Sequence, residues 1–285
     1  MTYGKLYEYG VDALEAAGIE EAKLDARLLL EYICHTDRNA LLVHGDMERN
    51  AMEEQFYKMV IEKRAKRIPL QHITGEQEFM GLTFRVNENT LIPRQDTEVL
   101  VEEALRELSD GMRILDVCTG SGCILLSLMK YSNECEGIGL DISAKALEVA
   151  KENARLLNVQ NVDFVESDLF EALENEKVNV GKDRFFDIII SNPPYIESAV
   201  IETLMPEVKD HEPMLALDGK EDGLFFYRKI VDKAPKYIRK GGKLLFEIGY
   251  NQGEAVRQLM LDKGFTKVEV IKDFAGLDRV VCGNI

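Results

Sequence analysis

No apolar run in this 285-residue chain approaches the roughly 20 residues that a helix needs to cross a bilayer. The opening stretch MTYGKLYEYGVDALEAAG lacks the basic flank and apolar block of a signal peptide. No membrane partner is therefore expected, and a cytoplasmic location is. Cysteine is scarce: Cys34, Cys118, Cys123, Cys135 and Cys282 form no C-x-x-C pair and sit mostly among apolar residues, which excludes a disulfide framework. His35, His44, His72 and His211 show no close paired spacing with them, so no metal site is expected. Positive charge is also short, with 35 Lys and Arg against 51 Asp and Glu and a net charge of -16. A free nucleic-acid binder releases counterions from phosphates with clustered Lys and Arg. The charge balance points instead to protein or small-molecule partners.

What is present suffices for a sizeable core, at 46% hydrophobic content. Residues 1–71 read as a small helical domain: Leu6, Gly10, Ala13, Leu14 and Ala17 follow one helical period, and Ala22, Ala26, Leu29, Leu30 and Ile33 another. The basic residues of KMVIEKRAKR (58–67) are read as favourable charge at a helix C-terminus. Residues 72–92 hold two β-prone pieces, ITGEQEFMG and LTFRVNENTLI, separated at Met80-Gly81, which predicts a hairpin linker.

From residue 93 to 285 strand and helix signals alternate. RILDV (113–117), GIGLD (137–141), VDFVES (162–167) and FDIIIS (186–191) are followed by a helix around 222–239, KLLFEIG (243–249), a helix at 251–263 and the strands KVEVIKD and DRVVCG. Such alternation predicts an α/β domain with a parallel sheet and helices on both faces. EALENEKVNVGKDR (171–184) reads as a surface loop or short frayed helix.

After the first of these strands, Asp116-Val117-Cys118-Thr119-Gly120-Ser121-Gly122 forms a glycine-containing turn where such a sheet binds its ligand. Glycines there are often plain turn geometry. The next strand ends at Asp141, about 20 residues on, where a carboxylate can hydrogen-bond a ribose diol, although Asp141 could equally cap the following helix. The third strand ends in Ser167-Asp168-Leu169-Phe170, which places an acceptor and apolar groups at the same edge; core packing explains Phe170 equally well. A nucleoside-containing cofactor follows. The turn lacks the full G-x-G-x-x-G spacing that a pyrophosphate prefers, but these three strand ends do not separate a nicotinamide cofactor from S-adenosylmethionine.

The fourth strand runs into Asn192-Pro193-Pro194-Tyr195. Two prolines fix φ and remove two N-H donors, so the Pro193 carbonyl is held outward beside the Asn192 side-chain oxygen. Two acceptors over an aromatic ring suit a planar NH2 group. An amide nitrogen, its lone pair delocalised, needs such positioning to accept a methyl group. Glu247 is read as satisfying backbone donors or solvent, and Asp96-Thr97-Glu98 as acids at a helix start; neither is assigned to catalysis.

The order of these motifs resembles class I methyltransferases that modify planar nitrogen. PLQHITGEQEFMGLTFRVNENTLIPRQDTEVLVEEAL (69–105), ILDVCTGSG (114–122), SNPPYI (191–196), HEPMLALDGKEDGL (211–224), GGKLLFEIGYNQ (241–252) and DFAGLDRVV (273–281) resemble the release factor glutamine methyltransferases. The resemblance implies a class I, Rossmann-like sheet at 93–285, a helical domain at 1–71 that docks a release factor, and methylation of the Gly-Gly-Gln glutamine at its side-chain amide nitrogen. It also implies S-adenosylmethionine on Cys118, Thr119, Gly120, Ser121, Gly122, Asp141, Asp168, Leu169 and Asn192, with S-adenosylhomocysteine as product. Asn192, Pro193, Pro194 and Tyr195 would hold the glutamine, with Asn192, Pro193 and Tyr195 catalytic and Arg94 flanking the site. The family's turn opens with glycine where this chain has Cys118. Ribosomal-protein glutamine, an exocyclic base amine and a cofactor-binding module without catalysis stand as alternatives, and a monomer is expected.

Overall fold

The computed structural model describes residues 1–175 and 185–285, so the later part of the 171–184 stretch lies outside the described residues; its start forms the short helix Glu171–Glu174. Two contact units emerge, Met1–Glu76 with Met205–His211, and Gln77–Leu204 with Glu212–Ile285. The first therefore includes a segment that the sequence assigns to the second.

In the first unit, helices Tyr3–Ala16, Ala22–Cys34 and Ala51–Ala65 pack around Leu6, Leu14, Leu29, Leu30 and Tyr57, each fully buried. The Tyr57 hydroxyl donates to the Ala26 carbonyl at 3.0 Å, and a Cβ on Gly10 would lie 2.0 Å from that hydroxyl. Gly10 thus belongs to the helical period because only a missing side chain lets Tyr57 cross there. The third helix begins with a capping box between Asn50 and Glu53, which satisfies two end groups reciprocally.

Its C-terminal basic residues do more than face the helix dipole. Arg64 is 8% exposed and donates to Asp25 at 2.7 Å and to Glu207 at 3.0 Å, and Arg67 donates to the same Glu207 oxygen at 2.9 Å. Burial opposes the Glu207 charge, but bonds from its own backbone amide and from both arginines hold its carboxyl below the usual range. This buried network joins the 205–211 segment to the helices.

In the second unit β1 (Glu76–Phe79, its first residue in the first unit) and β2 (Leu82–Arg85) form the hairpin, turning at Met80 (φ 52°) and Gly81 (φ 68°). Two positive φ angles are what a two-residue turn with right-handed strand twist requires. The β-prone reading begins too early, because Leu70–Thr74 forms a helical turn closed by Gly75 at φ 77°.

The main sheet contains β3 (Arg113–Val117), β4 (Glu136–Asp141), β5 (Val162–Glu166), β6 (Phe186–Ser191), β7 (Ile238–Glu247), β8 (Thr266–Lys272) and β9 (Asp278–Asn284), in the order β5-β4-β3-β6-β7-β9-β8. The first five of these in spatial order are parallel; β9 runs antiparallel between β7 and β8, so the sheet is mixed. Alternation along the strands sends Leu115, Val117, Ile189, Leu244 and Phe246 into one core and Ile114, Ile188, Ile190 and Leu245 into the other. The helix expected over 222–239 is shorter, Phe225–Lys233, and yields to a tight turn at Ala234–Lys236 because Pro235 has no N-H for a helix. Among the described residues no helix is long and apolar enough to cross a membrane.

The chain leaves β3 first toward β4 and β5, then returns to β6 on its other side. The C-terminal ends of β3 and β6 therefore flank the switch point where open α/β sheets hold ligands.

Candidate active site

The turn after β3 is held by bonds within itself, to Asp116 and to β4. Thr119 N-H donates to the Leu140 carbonyl at 2.9 Å, Gly122 N-H to the Thr119 carbonyl at 2.9 Å, and the Thr119 hydroxyl to Asp116 Oδ2 at 2.6 Å. Gly120 has φ 56°, with nothing within 4 Å of where a Cβ would stand. Its outer side is open space. Gly122 faces inward: an added Cβ would meet Leu126, Ala150 and Phe164 at 3.1–3.2 Å, so this glycine serves helix packing. Cys118 adopts φ 65°, a conformation costing a side-chain-bearing residue roughly 1 kcal/mol. Its side chain both packs against the core and lines the cleft, and burial raises the thiol well above its ordinary range.

Asp141 closes the turn. Its Oδ2 accepts from Gly120 N-H at 2.8 Å and its Oδ1 from Ser143 N-H at 2.9 Å. The helix cap itself is Ser143, whose hydroxyl accepts from Ala146 N-H at 3.2 Å. Each Asp141 oxygen retains a lone pair for a ligand hydroxyl. Burial raises its pKa against these backbone bonds, and buried Asp116 is pushed up to about 7 by desolvation, with the Asp141 charge adding to it. Asp116 Oδ1 has no partner among the described residues.

A cleft of about 1080 Å³, counted to its solvent-open mouth, brings together Arg94, Cys118, Thr119, Gly120, Ser121, Asp141, Asp168, Leu169, Asn192 and Pro194. It does not include Gly122, Pro193 or Tyr195. Leu169 stands at φ 51°, held there as the Ser167 hydroxyl donates to its carbonyl at 2.7 Å and accepts from Ala172 N-H at 2.9 Å. Phe170 is not in the cleft. It is 2% exposed and stacks on Tyr237 with centroids 5.3 Å apart, so the aromatic wall of the cleft is Phe226.

The Asn192–Tyr195 turn is fixed from both ends. The Ser191 hydroxyl donates to the Val117 carbonyl, tying β6 to β3. Beyond the turn, Ile196 N-H donates to the Leu217 carbonyl at 3.0 Å and Gly219 N-H to the Ile196 carbonyl at 2.8 Å. A Cβ on Gly219 would lie 2.7 Å from Tyr195 Cα, and one on Gly223 2.4 Å from the Tyr195 carbonyl oxygen. That carbonyl accepts from Gln252 Nε2 at 3.0 Å. Among the described residues neither the Asn192 side chain nor the Pro193 carbonyl has a hydrogen-bond partner.

Three supports escaped the sequence reading. Asn153, fully buried, donates to the Ser121 carbonyl at 2.9 Å and exchanges bonds with Arg85, and nothing in its helix marks it. Glu212, 6% exposed, holds Arg94; its segment HEPML carried the resemblance but no role. Glu247 meets neither backbone donors nor solvent, contrary to its expected role. It is 2% exposed, its Oε1 takes the Tyr195 hydroxyl at 3.4 Å, and its Oε2 has no partner among the described residues. Burial pushes this carboxyl up to about 7, opposed by a Thr97 bond and by Arg279.

A Rossmann-like sheet with an acid-lined cleft at its switch point and an acceptor-bearing Asn-Pro-Pro-Tyr turn on the neighbouring strand defines a methyltransferase. Comparison with known proteins agrees. Residues 108–283 match a methyltransferase domain family and residues 5–75 the PrmC N-terminal domain. A release factor glutamine methyltransferase of Geobacter sulfurreducens is 41% identical over 284 residues, covering 100% of this chain and 97% of the relative. One from Thermodesulfovibrio yellowstonii is 41% identical, covering 92% and 94%. A solved methyltransferase from Pyrococcus furiosus shares the fold at TM-score 0.52 and 17% identity, over 78% of this chain and 98% of that one. The chain belongs to the release factor glutamine methyltransferase family.

Proposed function

We propose that this enzyme transfers a methyl group from S-adenosylmethionine to the side-chain amide nitrogen of the glutamine in the Gly-Gly-Gln motif of a peptide chain release factor. The observation that carries the reading is the Asn192–Tyr195 turn, with two unengaged acceptors at the end of β6 beside the cleft. The cleft suits the cofactor. Open space over Gly120, two spare lone pairs on Asp141, acids that favour a cationic ligand and apolar walls from Ile142, Leu169 and Phe226 match a ribose, a sulfonium with its ammonium, and an adenine ring.

Bound there, S-adenosylmethionine supplies an electrophilic methyl group and is left as S-adenosylhomocysteine. The protein supplies position. The Asn192 side-chain oxygen and Pro193 carbonyl each accept one amide N-H, Pro193 acting through its backbone, and the Tyr195 ring supports the amide plane. These bonds draw the nitrogen away from conjugation, so its lone pair becomes available for the methyl carbon, and as the new N–C bond forms and the sulfur–methyl bond breaks one N-H proton is lost to solvent. Asp141, Asp168, Leu169 and the 118–122 turn orient the cofactor, and Arg94, fixed by Glu212, borders the substrate side. Residues 1–71, followed by the 72–92 hairpin linker and the 93–285 catalytic domain, dock the release factor. The match of residues 5–75 to the PrmC N-terminal domain supports a protein substrate. The enzyme is read as a monomer that works in the cytoplasm, where translation termination takes place.

The test is methyl transfer from labelled S-adenosylmethionine to purified release factor, ribosomal protein and tRNA side by side, with a Gln→Ala release factor as control. Label on release factor that vanishes in the control is expected. Label on either other substrate would move the function there, and none on any would leave a binding module.

A further inference from the structure

Within the first unit a second concavity lies between helices Tyr3–Ala16 and Ala22–Cys34 and the short helix Arg38–Val43. It is an open groove of about 790 Å³ counted to its mouth. Tyr7, Leu24, Leu30, Leu41 and Leu42 give it an apolar wall. Leu42 is 74% exposed and Leu24 40%, and the neighbouring Val43 is 71% exposed; helix Arg38–Val43 buries none of its residues. Leu41 is half-buried against the helical core, but a six-residue helix with no fully buried residue gains little from its own chain, and Leu42 and Val43 are left facing solvent.

The charge around this groove runs against the rest of the molecule. Its charged lining residues are Lys23, Arg27 and Arg38, and no acid lines it, in a chain of net charge -16. Arg27 is neutralised by Glu31 at 2.6 Å, whereas Lys23 and Arg38 have no ion-pair partner among the described residues. Two unpaired cations over an apolar wall are complementary to an apolar side chain with carboxylates beside it.

We propose that this groove is a docking site for a segment of the protein substrate in which an exposed apolar side chain is flanked by acidic residues. The inference rests on the reading that the substrate is a release factor, and adds where on the first unit it is gripped and by what chemistry. Apolar contact on Leu24, Leu41 and Leu42 holds the side chain, while Lys23 and Arg38 select acidic neighbours and speed encounter.

The experiment compares the full-length enzyme with Lys23→Glu/Arg38→Glu and, separately, Leu42→Ser, all at exposed positions, using purified release factor as substrate. Expected is a KM for release factor raised at least about tenfold in the charge variant, equivalent to about 1.4 kcal/mol, and about threefold in Leu42→Ser. At saturating release factor kcat stays at the wild-type value, as does the affinity for S-adenosylhomocysteine, because both report chemistry carried by residues of the second unit. The wild-type KM rises with salt and that of the charge variant does not. A KM within twofold of wild type in both variants overturns the proposal, as does a fall in kcat or cofactor affinity. Wild-type self-association that the variants abolish also overturns it, since the groove would then serve a second copy. Wild type that leaves release factor unlabelled removes the functional reading first and this one with it; wild type that labels it while the variants are unaffected removes this one alone.

Discussion

Replacing Glu247 by Gln should make the protein more stable, by an amount that grows as pH rises from about 4.5 to about 7. Glu247 is 2% exposed, and burial lifts its carboxyl from 4.5 to about 7. A carboxyl with a raised native pKa binds more protons folded than unfolded between those values, so stability falls as pH rises through that window. At about 1.36 kcal/mol per pH unit the loss is about 3 kcal/mol by pH 8. Glutamine matches the protonated acid in size and stays neutral. Glu247→Gln should therefore equal wild type near pH 4 and exceed it by about 3 kcal/mol from about pH 7 to 8. Urea unfolding across that range reads the difference, and buried Asp116, also near 7, cancels because both proteins carry it. A constant offset between the two curves at every pH would refute the reasoning, because it would mean that Glu247 is already ionised in the fold and held by Thr97 and Arg279.

Asn192→Ala removes one of the two acceptors and should lower kcat by at least about a hundredfold while S-adenosylhomocysteine affinity stays within about twofold; near-normal turnover would sink the amide-clamp mechanism. Asp141→Ala strips the bonds from Gly120 and Ser143 as well as the ribose acceptor, so calorimetry should show cofactor affinity weakened at least about tenfold, and unchanged binding would remove Asp141 from the cofactor site. Arg64→Ala leaves Asp25 without its bond and takes one of two arginines from Glu207, which should destabilise the helical unit by about 3 kcal/mol or more; a denaturation midpoint like that of wild type would mean water replaces the guanidinium.

The architecture was legible wherever residues acted through neighbours in sequence. RILDV and FDIIIS became β3 and β6 because short segments dominated by β-branched and other apolar residues and bounded by turns suit strands covered on both faces. Asp141 and Asn192 could be placed at one sheet edge from the chain alone, since every parallel strand in an α/β sheet ends on the same side. Boundaries failed where a single residue's geometry decided them, as when Pro235 cut a helix short and Gly75 let a helical turn precede the hairpin.

The partners of buried polar groups were not legible, and the reason is topological. Asn153 reaches Arg85 across 68 positions, Arg94 finds Glu212 across 118, and Arg64 finds Glu207 across 143. No local pattern encodes such pairings, because a polar group is satisfied by whatever the fold brings beside it. The same distinction explains why Phe226, which the sequence reading passed over, lines the cleft. Phe170 was open between cleft and core, and the Ser167 hydroxyl holds Leu169 at positive φ while Phe170 stacks on Tyr237 in the core. The open aromatic position then falls to Phe226, which is 56 residues further along the chain and near the site only in space. Chemistry-bearing turns are short-range and readable; the shells that hold them rigid are long-range, and only folding assembles them.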